Sequence, residues 1–188
     1  MYYLAFDCET TGLTSNCNIL TAYFIILDED FQKIDELDLK IKHNFYTVYT
    51  KALDINNIDL IKHDKEAIPL FDANELLINF LHQFQKENNK YTIIGHNVSF
   101  DIKMILSNKL ISISDFNKYF INGQYLDTYL LCQQLKKEKK INKCQSLSLM
   151  KLCNYFDINN QNNNQKFHNA KYDTLCTIQL YNKIKELY

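Results

Sequence analysis

The sequence predicts an α/β protein built on a central mixed sheet flanked by helices. Three observations carry this. Strand-like segments crowd the first 42 residues, helical spacing takes over from about Ala52, and two later apolar segments, at 91–95 and from Gln124, each run directly into a helical pattern. Strands first, then strand–helix alternation, predicts an antiparallel three-strand meander joined by parallel strands.

The first strand, 2–7, is aromatic and aliphatic until it ends in Asp7, as a buried strand should be. TTGLTSN is rich in turn formers, and ILTAYFIIL at 19–27 is a second strongly apolar strand. KIDELDLKIK at 33–42 alternates apolar and polar residues and completes the meander. After Pro69, the only proline, the segment 69–87 carries Leu76, Leu77, Phe80, Leu81 and Phe84 at helical spacing. YTIIG at 91–95 is a short buried strand, followed by a helix over about 98–106. QYLDTYLLCQQLKKEKK is a strand leading into a helix, SLSLMKLCNYF at 146–156 is another helix, and the last runs from about Asn169 to Glu186. INNQNNNQ at 158–165 is a low-complexity polar loop that would add mobility beside His168 or stand as an indifferent insertion. With no internal repeat and no linker, residues 1–188 are expected to form one domain.

Hydrophobic content of 46% and aromatic content of 13% fit a globular chain, and no apolar run is long enough to span a membrane. The first strand begins at Tyr2 and leaves no room for a signal or transit peptide, so the cytosol or a host nucleus is expected rather than secretion. The six cysteines form no CxxC pair and read as reduced, buried thiols. Net charge is −1, but the distribution is uneven. Residues 136–151 hold six lysines and one glutamate (+5), and residues 27–38 hold six acids and one lysine (−5). The lysine run reads either as a solvated face or as a track for phosphates. Arginine is absent, which with the abundance of Asn, Ile, Lys and Tyr suggests the coding bias of an AT-rich genome.

Residues two apart on a strand share a face, so Asp7 and Glu9 stand side by side at the end of the first strand. Two carboxylates this close repel, and a hard divalent cation between them would relieve the repulsion. On this pair alone, two ordinary acids at an exposed strand end account for the pattern as well. Two further stretches shift the balance. IIGHNVSFDIKMIL, 93–106, places Asp101 in the first turns of a helix after a strand and a His96-Asn97 turn. FHNAKYDTLCTIQLY, 167–181, places His168 just before a helix that carries Asp173.

These motifs resemble the DEDD superfamily of 3′→5′ exonucleases in its histidine branch, which includes the proofreading epsilon subunit of bacterial DNA polymerase III. FDCETTGL is similar to the family's D-x-E-T-T/G-G-L motif, GHNVSFD to H-N-x-x-F-D, and HNAKYD to H-x-A-x-x-D. YLDTYLL resembles the family's D-T segment, and SLSLMKLCNYFDI the helix after it. The sister branch has Tyr four residues before the last Asp; here that position is Asn169, while His168 stands five before Asp173.

The resemblance implies a ribonuclease H-like fold and two-metal hydrolysis of phosphodiesters, with Mg²⁺ or Mn²⁺ as the two ions. It implies that Asp7 bridges both ions and that Glu9 and Asp173 hold the one that binds the attacking water. Asp101 then supports the second ion, partly through water, and His168 serves as general base. An oxygen-rich ligand set suits those ions, and imidazole suits a base near neutral pH. Thr10, Thr11, Leu13, Asn97 and Phe100 are implied to hold the terminal nucleotide, with backbone amides near Thr10 on its 3′-hydroxyl, Leu13 wedged against its base and Asn97 and Phe100 lining the same pocket. Leu13 and Phe100 read equally as plain core residues. The expected substrate is the 3′ end of single-stranded DNA, in proofreading or repair, with RNA trimming as the alternative and a silent nucleic-acid-binding module behind it. Lys103, Lys171 and the 136–151 run would guide the phosphates, and a polymerase or replication partner would act in trans.

Overall fold

The structure, a computed structural model, describes residues 1–85, 90–158 and 167–188. Its strands are β1 (Tyr3–Thr10), β2 (Ile19–Leu27), β3 (Lys33–Lys42), β4 (Ile68–Pro69), β5 (Tyr91–Gly95) and β6 (Phe120–Asp127). They form one sheet in the order β4-β3-β2-β1-β5-β6. β1, β2 and β3 are the antiparallel meander, while β5 runs parallel to β1 and β6 parallel to β5. The register pairs Ala5 with Ile94 and Gly95 with Asp127, so β1, β5 and β6 all end at the same edge of the sheet. In open sheets with parallel strands, that carboxyl edge is where ligands bind.

The helices are α1 (Thr50–Asn56), α2 (Leu60–Glu66), α3 (Leu70–Gln83), α4 (Val98–Ser107), α5 (Ile113–Tyr119), α6 (Thr128–Lys137), α7 (Leu149–Tyr155) and α8 (Ala170–Lys185). Alternation along β1 decides what each face meets. Leu4, Phe6 and Cys8 enter the core under α3, α4 and α5, whereas Tyr3 and Ala5 pack with Ala170 and Ile178 of α8. Asp7 and Glu9 continue the second series, so the period of two aims both acids at the side of the sheet that α8 covers. A second core joins α6, α7 and α8 through Cys132, Leu135, Leu152, Cys153, Cys176 and Leu180. All six cysteines are free thiols and buried.

Most of the expected elements appear within a few residues of their expected ends. The expected helix at 69–87 is α3; Pro69 belongs to β4 and caps α3 without a side-chain bond. Its expected tail at 86–87 lies outside the described residues, as does 159–165 of the polar loop. The helix expected over 146–156 starts at Leu149, because Ser148 has extended backbone. α2, α5 and β4 are too short to show a full period in the sequence. No helix among the described residues is long and apolar enough to cross a membrane.

Candidate active site

β1 delivers Asp7 and Glu9 to the carboxyl edge, and a bulge after Glu9 ends the regular pairing with β2. α8 brings Asp173 in from above. Its N-terminus is set by Asn169, whose side chain accepts from the Tyr172 N–H. One carboxylate oxygen from each of Asp7, Glu9 and Asp173 lies within 4.8 Å of the others. At an effective dielectric of about 20, two unit charges at about 4 Å repel by roughly 4 kcal/mol. Three ionised groups at such separations need protons or a cation.

The acids respond as that physics requires. Burial, then the charges of Asp101, Asp173 and Glu9, pushes Asp7 well above the usual carboxylate range. Glu9 is pushed up to about 8 by burial and by Asp173 and Asp101, against a hydrogen bond from Asn56 of α1. Burial lifts Asp173 to about 7, against the His168 backbone N–H that donates to its Oδ2 at 3.0 Å. Asp173 Oδ1 is buried and has no hydrogen-bond partner among the described residues. An orphaned acceptor of that kind costs about 1–3 kcal/mol unless something binds it. The donor set is all hard oxygen, so the cluster fits a divalent cation of the Mg²⁺ or Mn²⁺ type.

Asp101 lies beside this cluster but faces differently. Its Oδ1 accepts from the Cys8 N–H at 3.2 Å and from the Cys8 thiol at 3.0 Å. Burial raises Asp101 to about 7, and the Cys8 bonds pull the other way. The Cys8 thiol is itself raised, by burial first and then by Asp101, so it stays protonated as the donor. His168 has left-handed backbone (φ 67°) and an exposed side chain. It stands where two clefts meet, one along α4 and α6 and one along α1 and α2.

The remaining sequence candidates divide. Leu13 is 77% exposed, which removes the core-packing reading, and it borders an apolar groove with Tyr49 and Ile55. Asn97 and Phe100 both line the first cleft. Phe100 also packs against the main core, as its core reading expects. The two threonine side chains are engaged within the turn. Thr10 Oγ1 donates to the Gly12 carbonyl at 2.7 Å, and Thr11 Oγ1 donates to Thr47 and accepts from Asn18 N–H. Both side chains are buried in the turn. Gly12 is required there, because an added Cβ would lie 2.6 Å from Tyr49 and 2.7 Å from Cys17 Sγ. The Lys171 ammonium pairs with Glu36 at 3.1 Å and sits over the Tyr23 ring.

Asp127, which the sequence placed only within the D-T segment, has a role that reading did not assign. Its Oδ1 accepts from the N–H groups of Asn97 and Tyr129, both at 2.9 Å, and its Oδ2 from that of Val98 at 3.1 Å. One buried carboxylate thus caps α4 and α6 together and fixes the turn that precedes Asp101. The signal was present, since an Asp-Thr step between a strand and an amphipathic run is an N-cap pattern. Cys8 offered no such signal: its partner is 93 residues away.

A mixed sheet of this order, with acids gathered at the carboxyl edge of its parallel strands, is the framework of a ribonuclease H-like nuclease. Residues 58–184 match the family described as DNA polymerase III subunit epsilon-like, C-terminal domain, and the chain belongs to that family of DEDDh exonucleases. A search of curated proteins found no match. Among solved structures, the zinc ion bound form of the E. coli ExoI–ssDNA complex superposes with a TM-score of 0.73 at 17% identity, over 99% of this chain and 40% of that one. Exonuclease I from Methylocaldum szegediense gives 0.72 at 18% identity, over 98% of this chain and 40% of that one. Cell-death related nuclease 4 (CRN-4) gives 0.70 at 16% identity, over 99% and 64%. The chain therefore spans about 40% of the length of the Exonuclease I chains it resembles.

Proposed function

We propose that residues 1–188 act as one metal-dependent exonuclease domain that removes nucleotides from the 3′ end of single-stranded DNA, in proofreading or repair. The convergence of Asp7, Glu9 and Asp173 around an orphaned carboxylate oxygen carries this reading. In support, E. coli Exonuclease I has been solved with dT13 and dA16 oligonucleotides.

In this reading Asp7, Glu9 and Asp173, with Asp101 beside them, would hold two ions of Mg²⁺ or Mn²⁺. When bound, such ions offset the charge of the phosphodiester and lower the pKa of water. The residues of the chain do the rest. His168, exposed at the junction of the clefts, accepts the proton of the attacking water. Water adds at phosphorus, the 3′-oxygen of the penultimate nucleotide departs, and a nucleoside 5′-monophosphate is released. Leu13 wedges against the terminal base, and Phe100 and Asn97 line the cleft that receives it.

The test is a gel assay of 5′-labelled single-stranded DNA and matched RNA, with Mg²⁺ or Mn²⁺ and with EDTA, beside Asp7→Ala protein. A ladder shortening from the 3′ end, lost with chelator and in the variant, is expected, with DNA the faster substrate. Intact strands in every metal lane would overturn the reading, and faster RNA decay would reassign the sugar.

A further inference from the structure

We infer that the cleft along α4 and α6 continues away from the acids as a track for the upstream nucleotides of a single strand, leading onto the lysines around segment 145–149. This rests on the exonuclease reading and extends it. The cleft has a volume of about 820 Å³, near the upper end of the range that holds one drug-sized ligand, so it has room beyond a terminal nucleotide. Asp7, Asp173 and His168 line it, as do Lys136 and residues 145–149; Lys136 stands seven residues along α6 from Tyr129, about 10 Å from the helix start that follows the carboxyl edge. The same cleft is lined by the rings of His96 and Tyr129, edge-to-face at 5.8 Å, which offer surfaces for bases to stack on.

The charges give the track a direction. Apart from the acids of the candidate metal site, no carboxylate among the described residues lines this cleft. The second cleft, by contrast, adds Asp59 and Glu66 to Glu9, and its Lys40 is paired with Glu66. The wall of the first cleft is held in place by Lys136, whose ammonium donates to the Cys144 carbonyl at 2.8 Å. Next to Lys136 and on either side of segment 145–149 in the chain, Lys137, Lys143 and Lys151 are exposed and enter no salt bridge among the described residues. Ser148 begins α7 without spending its hydroxyl on a cap. The acids would repel the phosphates of a strand whose 3′ end meets them, and free ammonium groups near the Lys136 side of the chain supply the compensating attraction.

The test separates this inference from the reading under it. Hydrolysis of the p-nitrophenyl ester of thymidine 5′-monophosphate by unmodified protein, abolished by EDTA, checks the chemistry without an upstream strand. Binding is then measured by anisotropy in the Asp7→Ala protein, with labelled dT3 and dT12 across a salt series. The expected result is that dT12 binds at least tenfold more tightly than dT3. Adding Lys137→Ala, Lys143→Ala and Lys151→Ala should remove most of that advantage and reduce the slope of log K against log salt by about 2, at about 0.7 per contact on a single strand. Each single variant should lower the slope by about 0.7. A control triple, Lys65→Ala, Lys109→Ala and Lys118→Ala, should leave the slope unchanged. An unchanged slope in the test triple, an equal fall in the control, or equal binding of dT3 and dT12 would overturn the track even if the ester is hydrolysed. Failure to hydrolyse the ester alongside intact strands would instead strike the exonuclease reading.

Discussion

Without a cation, this protein should lose stability as pH rises through neutrality. Asp173 goes from an ordinary value of 3.8 to about 7, Asp101 from 3.8 to about 7, and Glu9 from 4.5 to about 8, each raised first by burial. Between about pH 4 and 8 the native chain therefore binds more protons than the unfolded chain, and unfolding free energy falls with pH. The stabilisation is complete below the unfolded values and lost as pH passes the native ones. For Asp173 alone, a difference of about 3 pH units is worth on the order of 4 kcal/mol. In a chain of 188 residues each kcal/mol moves Tm by about 2–4 °C, so the fall amounts to roughly 10 °C. The assay is thermal melting in EDTA at pH 5, 6, 7 and 8, for the unmodified chain and for Asp7→Asn. Removing one acid should raise Tm at pH 8, and Mg²⁺ or Mn²⁺ should do the same for the unmodified chain. His43 and His96 are held neutral by burial and act in the opposite direction below about pH 6.5, so the comparison with Asp7→Asn isolates the carboxylates. A melting temperature that is flat or rising to pH 8 in EDTA, or an Asp7→Asn protein less stable there, would refute the argument.

Three other outcomes are expected. Cys8→Ala removes the thiol bond to Asp101, worth roughly 1 kcal/mol, and should raise the metal concentration for half-maximal activity about fivefold, with Cys8→Ser restoring it. Asp127→Asn sets an amide N–H against a backbone donor and should cost about 2 kcal/mol, read as a lower melting temperature. Leu13 is 77% exposed, so Leu13→Ala should leave stability within about 0.5 kcal/mol while raising KM for single-stranded DNA several-fold, which paired melting and steady-state kinetics would check.

Much of the fold was legible because its signals are local. The uncharged run before Asp7, the alternation of 33–42 and the helical spacing of 76–84 each speak within one element. Short elements escaped: α5 is seven residues long and β4 only two, too brief for a period to stand out. Helix ends were displaced where extended backbone interrupted the apolar pattern, as at Ser148.

For the candidate site, the sequence alone determined that Asp7 and Glu9 share a face, since a strand permits nothing else, and that Asp101 and Asp173 sit near helix starts. Tertiary structure decided how these groups meet. α8 lies on the side of the sheet that carries Tyr3 and Ala5, and that packing brings Asp173 to Asp7 and Glu9. Folding also turned Asp101 toward Cys8, spent the Thr10 and Thr11 hydroxyls inside a turn, tied Lys171 to Glu36 and left Leu13 in solvent. The physical reason is range. Periodicity and capping are set by neighbours a few residues away, whereas the partners of Cys8 and Lys171 lie 93 and 135 residues off and are chosen by the packing of whole elements.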